Sequence, residues 1–119
     1  MRDDNKLVVL SKQLAVDIVK LCNKIKDKSS AVLVNQLLKS GTSIGANIHE
    51  ANYASSRADF INKFQIALKE CYESEYWLEL FRDTEMITAE EYSDIYNKCC
   101  RIRRLLIVSV NTARENEKQ

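Results

Sequence analysis

Apolar residues recur along this chain at three- and four-residue intervals, and the recurrence is interrupted in three places. Leu7, Leu10, Leu14, Ile18, Leu21 and Ile25 form a first seam with the i, i+3, i+4, i+7 spacing of one helix face. Val8, Ala15, Val19 and Cys22 widen it to about half the circumference, beyond the ~100° that a core-facing helix needs. Leu33, Val34, Leu37, Gly41, Ile44, Ile48 and Ala51 make a second seam. Phe60, Phe64, Ala67, Cys71, Ser74 and Leu78, flanked by Leu68 and Phe81, make a third, and Tyr92, Ile95, Cys99, Ile102, Leu106, Val110 and Ala113 a fourth. The interruptions are polar. Ser29 or Ser30 can cap the second helix, Ser56 with Asp59 is a capping-box variant before the third, and Thr88 with Glu91 is a full box before the fourth. The spacing predicts helices over about 6–28, 30–52, 56–85 and 88–115. Turns this short force neighbouring helices antiparallel. The expected fold is all-α, an antiparallel up-down-up-down four-helix bundle in which residues 1–119 form a single domain.

All four helices carry residues beyond their core seam. Beside the second seam runs a stripe of short hydrogen-bonding side chains, Gln36, Ser40, Ser43, Asn47 and Glu50, instead of the Lys/Glu mixture of a solvated face. Such a stripe suits a buried or half-buried contact. Gly41 and Gly45 lie four apart in the same helix, where each costs about 1 kcal/mol relative to Ala, so close approach of a neighbouring backbone is expected to offset them. Val9, Val16, Ile66, Trp77, Leu80, Leu105 and Val108 fall off the seams. One bundle core cannot take them all, which predicts a homo-oligomer with Val9, Val16, Ser43, Asn47, Glu50, Ile66, Trp77 and Leu80 in its interfaces.

Composition narrows the chemistry. The chain has 119 residues, no proline and only two glycines, which leaves little material for hairpins. Cys22, Cys71, Cys99 and Cys100 sit inside helical patterns without C-x-x-C or histidine spacing, so four free thiols are expected, with neither disulfide nor metal site. Only Cys99 of the adjacent pair is placed on the seam. His49 is the single histidine, which rules out a two-histidine metal site within one chain. Glu70 with Glu73 and Glu90 with Glu91 lack the Glu-x-x-His partner of a di-metal bundle. No catalytic residue and no cofactor is expected, and the protein is read as a non-enzyme. With neither a signal-like start nor an apolar run of the ~20 residues a membrane span needs, a cytoplasmic location without membrane contact is expected.

Net charge is +1, so any anionic partner must be attracted locally. Acidic residues crowd Glu70–Asp94, whereas Ile95–Arg114 contains Lys98, Arg101, Arg103, Arg104 and Arg114 with no acid. In the up-down arrangement Arg57 and Lys63 join the same end. Candidate nucleic-acid contacts are therefore Arg57, Lys63, Arg101, Arg103, Arg104 and Arg114. Dipole compensation and solvated faces explain the same residues without a partner.

The run Gln36-Leu-Leu-x-Ser-Gly-Thr-Ser-Ile-Gly-Ala-Asn-Ile-x-Glu50, with Ser56-Arg-Ala-Asp-Phe-Ile61, Ile66-Ala-Leu-Lys-Glu70 and Glu73-Ser-Glu-Tyr-Trp-Leu78, resembles the four-helix-bundle family of 23S rRNA intervening-sequence proteins, also called the S23 type. That family is similar in turn to the accessory variability determinant proteins of diversity-generating retroelements. The resemblance covers nearly the whole chain. It implies a ring-like homopentamer, a basic surface that engages RNA or DNA, and a protein partner such as a reverse transcriptase. Ser43, Asn47 and Glu50 match the family's second-helix pattern, while Ala51 stands where many members have glycine. The function expected is that of a nucleic-acid-associated accessory protein, the alternative being a structural or protein-interaction module without nucleic-acid binding.

Overall fold

The computed structural model describes residues 2–118, with side chains from 6 to 116; Met1 and Gln119 of the expected domain lie outside the described residues. Four helices are present: α1 (Arg2–Lys24), α2 (Ala31–Ala51), α3 (Arg57–Asp83) and α4 (Ala89–Lys118). Each packs on its neighbours in sequence and α4 returns to α1, with no diagonal pair in contact among the described residues. The result is a square antiparallel bundle of 52 × 22 × 19 Å. The four predicted seams meet in one core, whose largest fully buried side chains include Phe64, Phe81, Leu14, Ile18, Ile44 and Leu106.

Helix ends follow local hydrogen bonding. α1 stops at Lys24, earlier than its apolar pattern suggests, and Ile25 still packs on the core from beyond that end. The next turn is a 3-10 helix over Lys28–Ser30, capped by Asp27, whose Oδ1 accepts from the Ser29 N–H at 3.0 Å and the Ser29 hydroxyl at 2.8 Å. Ser30 stands at the N-cap of α2 as expected but makes no side-chain cap bond; the capping carboxylate is Asp27, one turn earlier at the start of the 3-10 helix, where it satisfies two donors at once. The other two caps form as expected. Ser56 Oγ accepts from Asp59 N–H at 3.1 Å, and Thr88 and Glu91 exchange bonds of 2.9 and 3.0 Å. At the far end of α3 the chain turns through Glu85, which adopts φ 61°, while Met86 N–H reaches back to Phe81 C=O at 2.8 Å and Glu85 N–H to Arg82 C=O at 3.0 Å. This is a Schellman closure with a non-glycine residue in its left-handed position.

The glycines serve the close α1–α2 contact. A Cβ at Gly45 would lie 3.3 Å from the backbone oxygen of Ser11, and one at Gly41 would collide with the buried Ile18 side chain. The polar stripe of α2 also finds its partners at home. Ser74 Oγ on α3 donates to Ser40 Oγ at 2.9 Å inside the core, and Lys63 Nζ on α3 donates to Glu50 Oε1 at 3.1 Å. Asn47 Nδ2 donates to Ser43 C=O within α2 at 2.9 Å, and Glu70 of α3, whose carboxyl is raised by burial and by Glu73, is eased back down by the nearby Ser43 hydroxyl. Ser43, Asn47 and Glu50, expected between subunits, lie on the α3-facing side of α2 in their own chain, where Glu50 pairs with Lys63 while Asn47 bonds within α2. The reason is phase: at 100° per residue these positions fall on the side of α2 that turns to α3.

Candidate functional site

The antiparallel pairing of α3 and α4 fixes where the chemistry-bearing residues meet. Phe60–Lys69 on α3 contains no acid, and neither does Ile95–Arg114 on α4. Contacts between Tyr72 and Arg103, and between Cys71 and Cys99, set a register that lays these two stretches largely side by side. Their shared outer face is basic.

The predicted cations do not all belong to it. Arg57, Arg101, Arg104 and Arg114 are exposed and join no ion pair among the described residues. Helix phase puts Arg101 and Arg104 on the outer crest of α4, with Arg104 turned toward α3. Lys63 is bound to Glu50. Arg103 has a different role from the one its sequence neighbours suggest. Its Nε donates to Glu75 Oε2 at 2.8 Å, and the side chains of the pair retain 23% and 9% of their exposure. The Glu75 bond raises the basicity of the Arg103 guanidinium. Arg103 is therefore the partner of a buried carboxylate and not a free phosphate contact.

That pair anchors a polar layer between α3 and α4. Cys99 Sγ lies 3.6 Å from Cys71 C=O and 4.0 Å from Glu75 Oε2. Its hydrogen bond to Cys71, together with burial, pushes the Cys99 thiol up, and burial alone pushes Cys22 up to about 11. All four cysteines are buried and unpaired. Cys100, expected off the seam, is buried at its α3 edge. Burial and a bond donated to Glu79 at 3.1 Å raise the Tyr96 hydroxyl. No buried side-chain nitrogen or oxygen among the described residues lacks a partner, and no three His, Cys, Asp or Glu side chains among them converge as metal ligands would.

The surplus apolar residues divide into two groups. Trp77, Leu80 and Leu105 are half-buried and pack on their own core, with Trp77 Nε1 donating to Glu73 Oε2 at 3.3 Å. Val9 and Val108 stay 55% and 56% exposed, and Val16 and Ile66 are exposed as well. Ion pairs of Lys98 with Asp17 at 2.8 Å and Lys24 with Glu91 at 3.5 Å fix the α1–α4 register, which puts Val9 level with Leu106 and about half a turn from Val108. Between α1 and α2 a groove of about 410 Å³ opens over Ser11 and Gly45, walled by Val8, Ala15 and Ala46 and rimmed by Lys12, His49 and Glu50. It follows from the short glycine-mediated approach, and the buried Ser11 hydroxyl in its floor is already engaged, donating to Val8 C=O at 3.3 Å. His49 is exposed, with Tyr53 as its aromatic neighbour at 5.6 Å.

Sequence reasoning missed two features. The Glu75–Arg103 pair was legible in principle, since each residue sits four positions after a seam cysteine and hence at the core's edge. Tyr72 and Tyr76, exposed on the outer side of α3, carried no periodic signal because they fall outside every apolar seam.

A family model described as 23S rRNA-intervening sequence protein matches residues 3–108. Among solved structures, a protein of unknown function from the S23 ribosomal protein family of Bacteroides thetaiotaomicron is 50% identical, with a TM-score of 0.87 over 92% of this chain and 98% of that one. No curated protein sequence matches significantly. No described helix is long and apolar enough to cross a membrane.

Proposed function

This chain belongs to the 23S rRNA-intervening sequence protein family, and we propose that it is a non-catalytic, homo-oligomeric accessory protein that holds RNA or DNA by its phosphates along the outer face shared by α3 and α4. One observation carries the reading: two acid-free stretches from different helices lie side by side, with Arg101 and Arg104 exposed on the crest and in no ion pair among the described residues. Cations without carboxylate partners keep their charge for counterion release, which supplies affinity without sequence readout. Oligomerisation multiplies the effect, because each added subunit presents the same face.

The assembly is supported by apolar facets on different sides of the bundle. Val9, Val16 and Val108 are exposed on α1 and α4, while Val32, 71% exposed, lies on α2. Contact between two unlike facets is heterologous and closes into a ring if its rotation divides the circle, a ring of five in the assembly the family resemblance implies. The same valines favour a second reading, a module that contacts proteins only. Filter binding of RNA and DNA separates the two: the first predicts binding at low salt that weakens linearly in log–log form as salt rises, and no binding at low salt refutes it.

A further inference from the structure

The outer side of α3 carries a shallow groove of about 330 Å³, lined by Asn62, Gln65, Ile66, Leu68, Lys69 and Tyr72. Tyr72 closes it with a ring that is 51% exposed. That ring is held from within: Arg103, fixed by the buried Glu75, sets its guanidinium over the ring at 5.3 Å from the centroid. A cation thus occupies one face of Tyr72 and leaves the other side to solvent. An aromatic ring already ordered on one face is a preorganised platform for a flat π system on the other, because less freedom remains to be lost on binding.

The surroundings of the ring select among flat ligands. Lys69 precedes Tyr72 by three residues on the same helix face, and no ion pair among the described residues engages it. The α3–α4 register brings Arg104 to the level of Lys69, so two exposed cations flank the groove with no carboxylate among its lining residues. Asn62 and Gln65 each offer a carbonyl acceptor and an amide donor, the complement of a nucleobase edge. A base presents its face and its edge together only when unpaired and unstacked. The groove is also too short and shallow to follow a duplex.

We propose that this groove is a single-stranded nucleic-acid site. An unpaired base stacks on the open face of Tyr72, with Arg103 beneath the ring. The amides of Asn62 and Gln65 meet the base edge, and Lys69 and Arg104 take the flanking phosphates. The proposal rests on the phosphate-binding reading above and adds the strandedness of the partner and the residue that detects it.

Fluorescence anisotropy of the native protein at low salt tests it with three labelled probes: a short single-stranded RNA, the same RNA as a duplex, and a sugar-phosphate strand of equal length without bases. The single strand should bind at least about fivefold more tightly than the baseless strand, the smallest effect expected of one stacked base. Tyr72→Ala should weaken the single strand by about five- to a hundredfold and leave the other two probes unchanged, while Tyr72→Phe should bind as the native protein does. An unchanged helical circular-dichroism signal confirms that the half-exposed site tolerates the substitutions. Equal binding of single strand and baseless strand, or Tyr72→Ala at native affinity, overturns the stacking site and leaves the phosphate-binding reading standing. Failure to bind any of the three probes refutes both.

Discussion

Replacing Arg103 by Met keeps the length of the side chain and removes its charge, which strands Glu75 at the α3–α4 seam. The carboxylate side chain is 9% exposed and receives the Arg103 Nε at 2.8 Å; the remaining neighbour within reach is the Cys99 thiol at 4.0 Å. Breaking a buried pair by deleting one partner costs about 3–5 kcal/mol, because the surviving charge is left unsolvated. Arg103 keeps 23% of its own exposure, so water can reach part of the site and the lower end, about 3 kcal/mol, applies. For a chain of this length that corresponds to a melting point lower by roughly 10–15 °C. Urea unfolding followed by circular dichroism measures the loss, and a double-mutant cycle with Glu75→Leu isolates the pair. The double variant should recover most of the stability, since a well-packed apolar replacement of a buried ion pair is often neutral or better. A single-variant loss below about 1 kcal/mol would show that Arg103 is solvated and free, and would return it to the set of phosphate contacts.

Gly41→Ala gains about 1 kcal/mol of helix propensity but drives a methyl into the fully buried Ile18, so a net loss of up to about 2 kcal/mol is expected, partly relieved by Ile18→Val; a stabilised Gly41→Ala protein in urea unfolding would contradict the close α1–α2 approach. Glu85→Gly removes a side chain from a left-handed position and should raise stability by about 0.5–1 kcal/mol, read as a higher unfolding midpoint; no rise would mean that the Schellman turn is not formed in solution. Glu91 is held below the usual carboxylate range chiefly by the Thr88 N–H, aided by Lys24. A depressed carboxylate stabilises above its unfolded value, about 4.3, and loses that contribution as pH falls through its folded value. The stability difference between the native protein and Glu91→Gln should therefore be present at neutral pH and fade below pH ~4; a difference independent of pH would contradict the cap. Val9→Glu with Val108→Glu should reduce the molar mass measured by light scattering, whereas a native protein that is already monomeric at micromolar concentration would refute the assembly.

The bundle was readable from sequence because each helix has one continuous seam and because two of the three turns carry capping pairs, Ser56 with Asp59 and Thr88 with Glu91. α1 misled at its end, where Ile25 continues the period although the backbone has already turned toward the Asp27 cap. The polar stripe of α2 showed its half-buried character but not its partner, since Ser40 and Glu50 find Ser74 and Lys63 only once the direction of α2 relative to α3 is known. The same limit governs the candidate site. Arg103 and Arg104 are adjacent in sequence and look equivalent, yet a rotation of 100° sends one into the core's edge against Glu75 and the other to the crest. Tyr72 drew no notice because an exposed tyrosine contributes nothing to an apolar period, and its stacking against Arg103 is a tertiary fact.

The division of labour between Arg103 and its neighbours is tested most directly by the salt dependence of RNA binding in the native protein and in the Arg101→Gln/Arg104→Gln variant. If the crest arginines neutralise phosphates, the double variant should remain as stable as the native protein while the slope of log affinity against log salt falls by about 0.7–0.9 for each phosphate left without its arginine in every subunit engaged. An unchanged slope in a folded double variant, with native affinity at every salt concentration, would contradict the assignment of the α3–α4 face as the nucleic-acid surface.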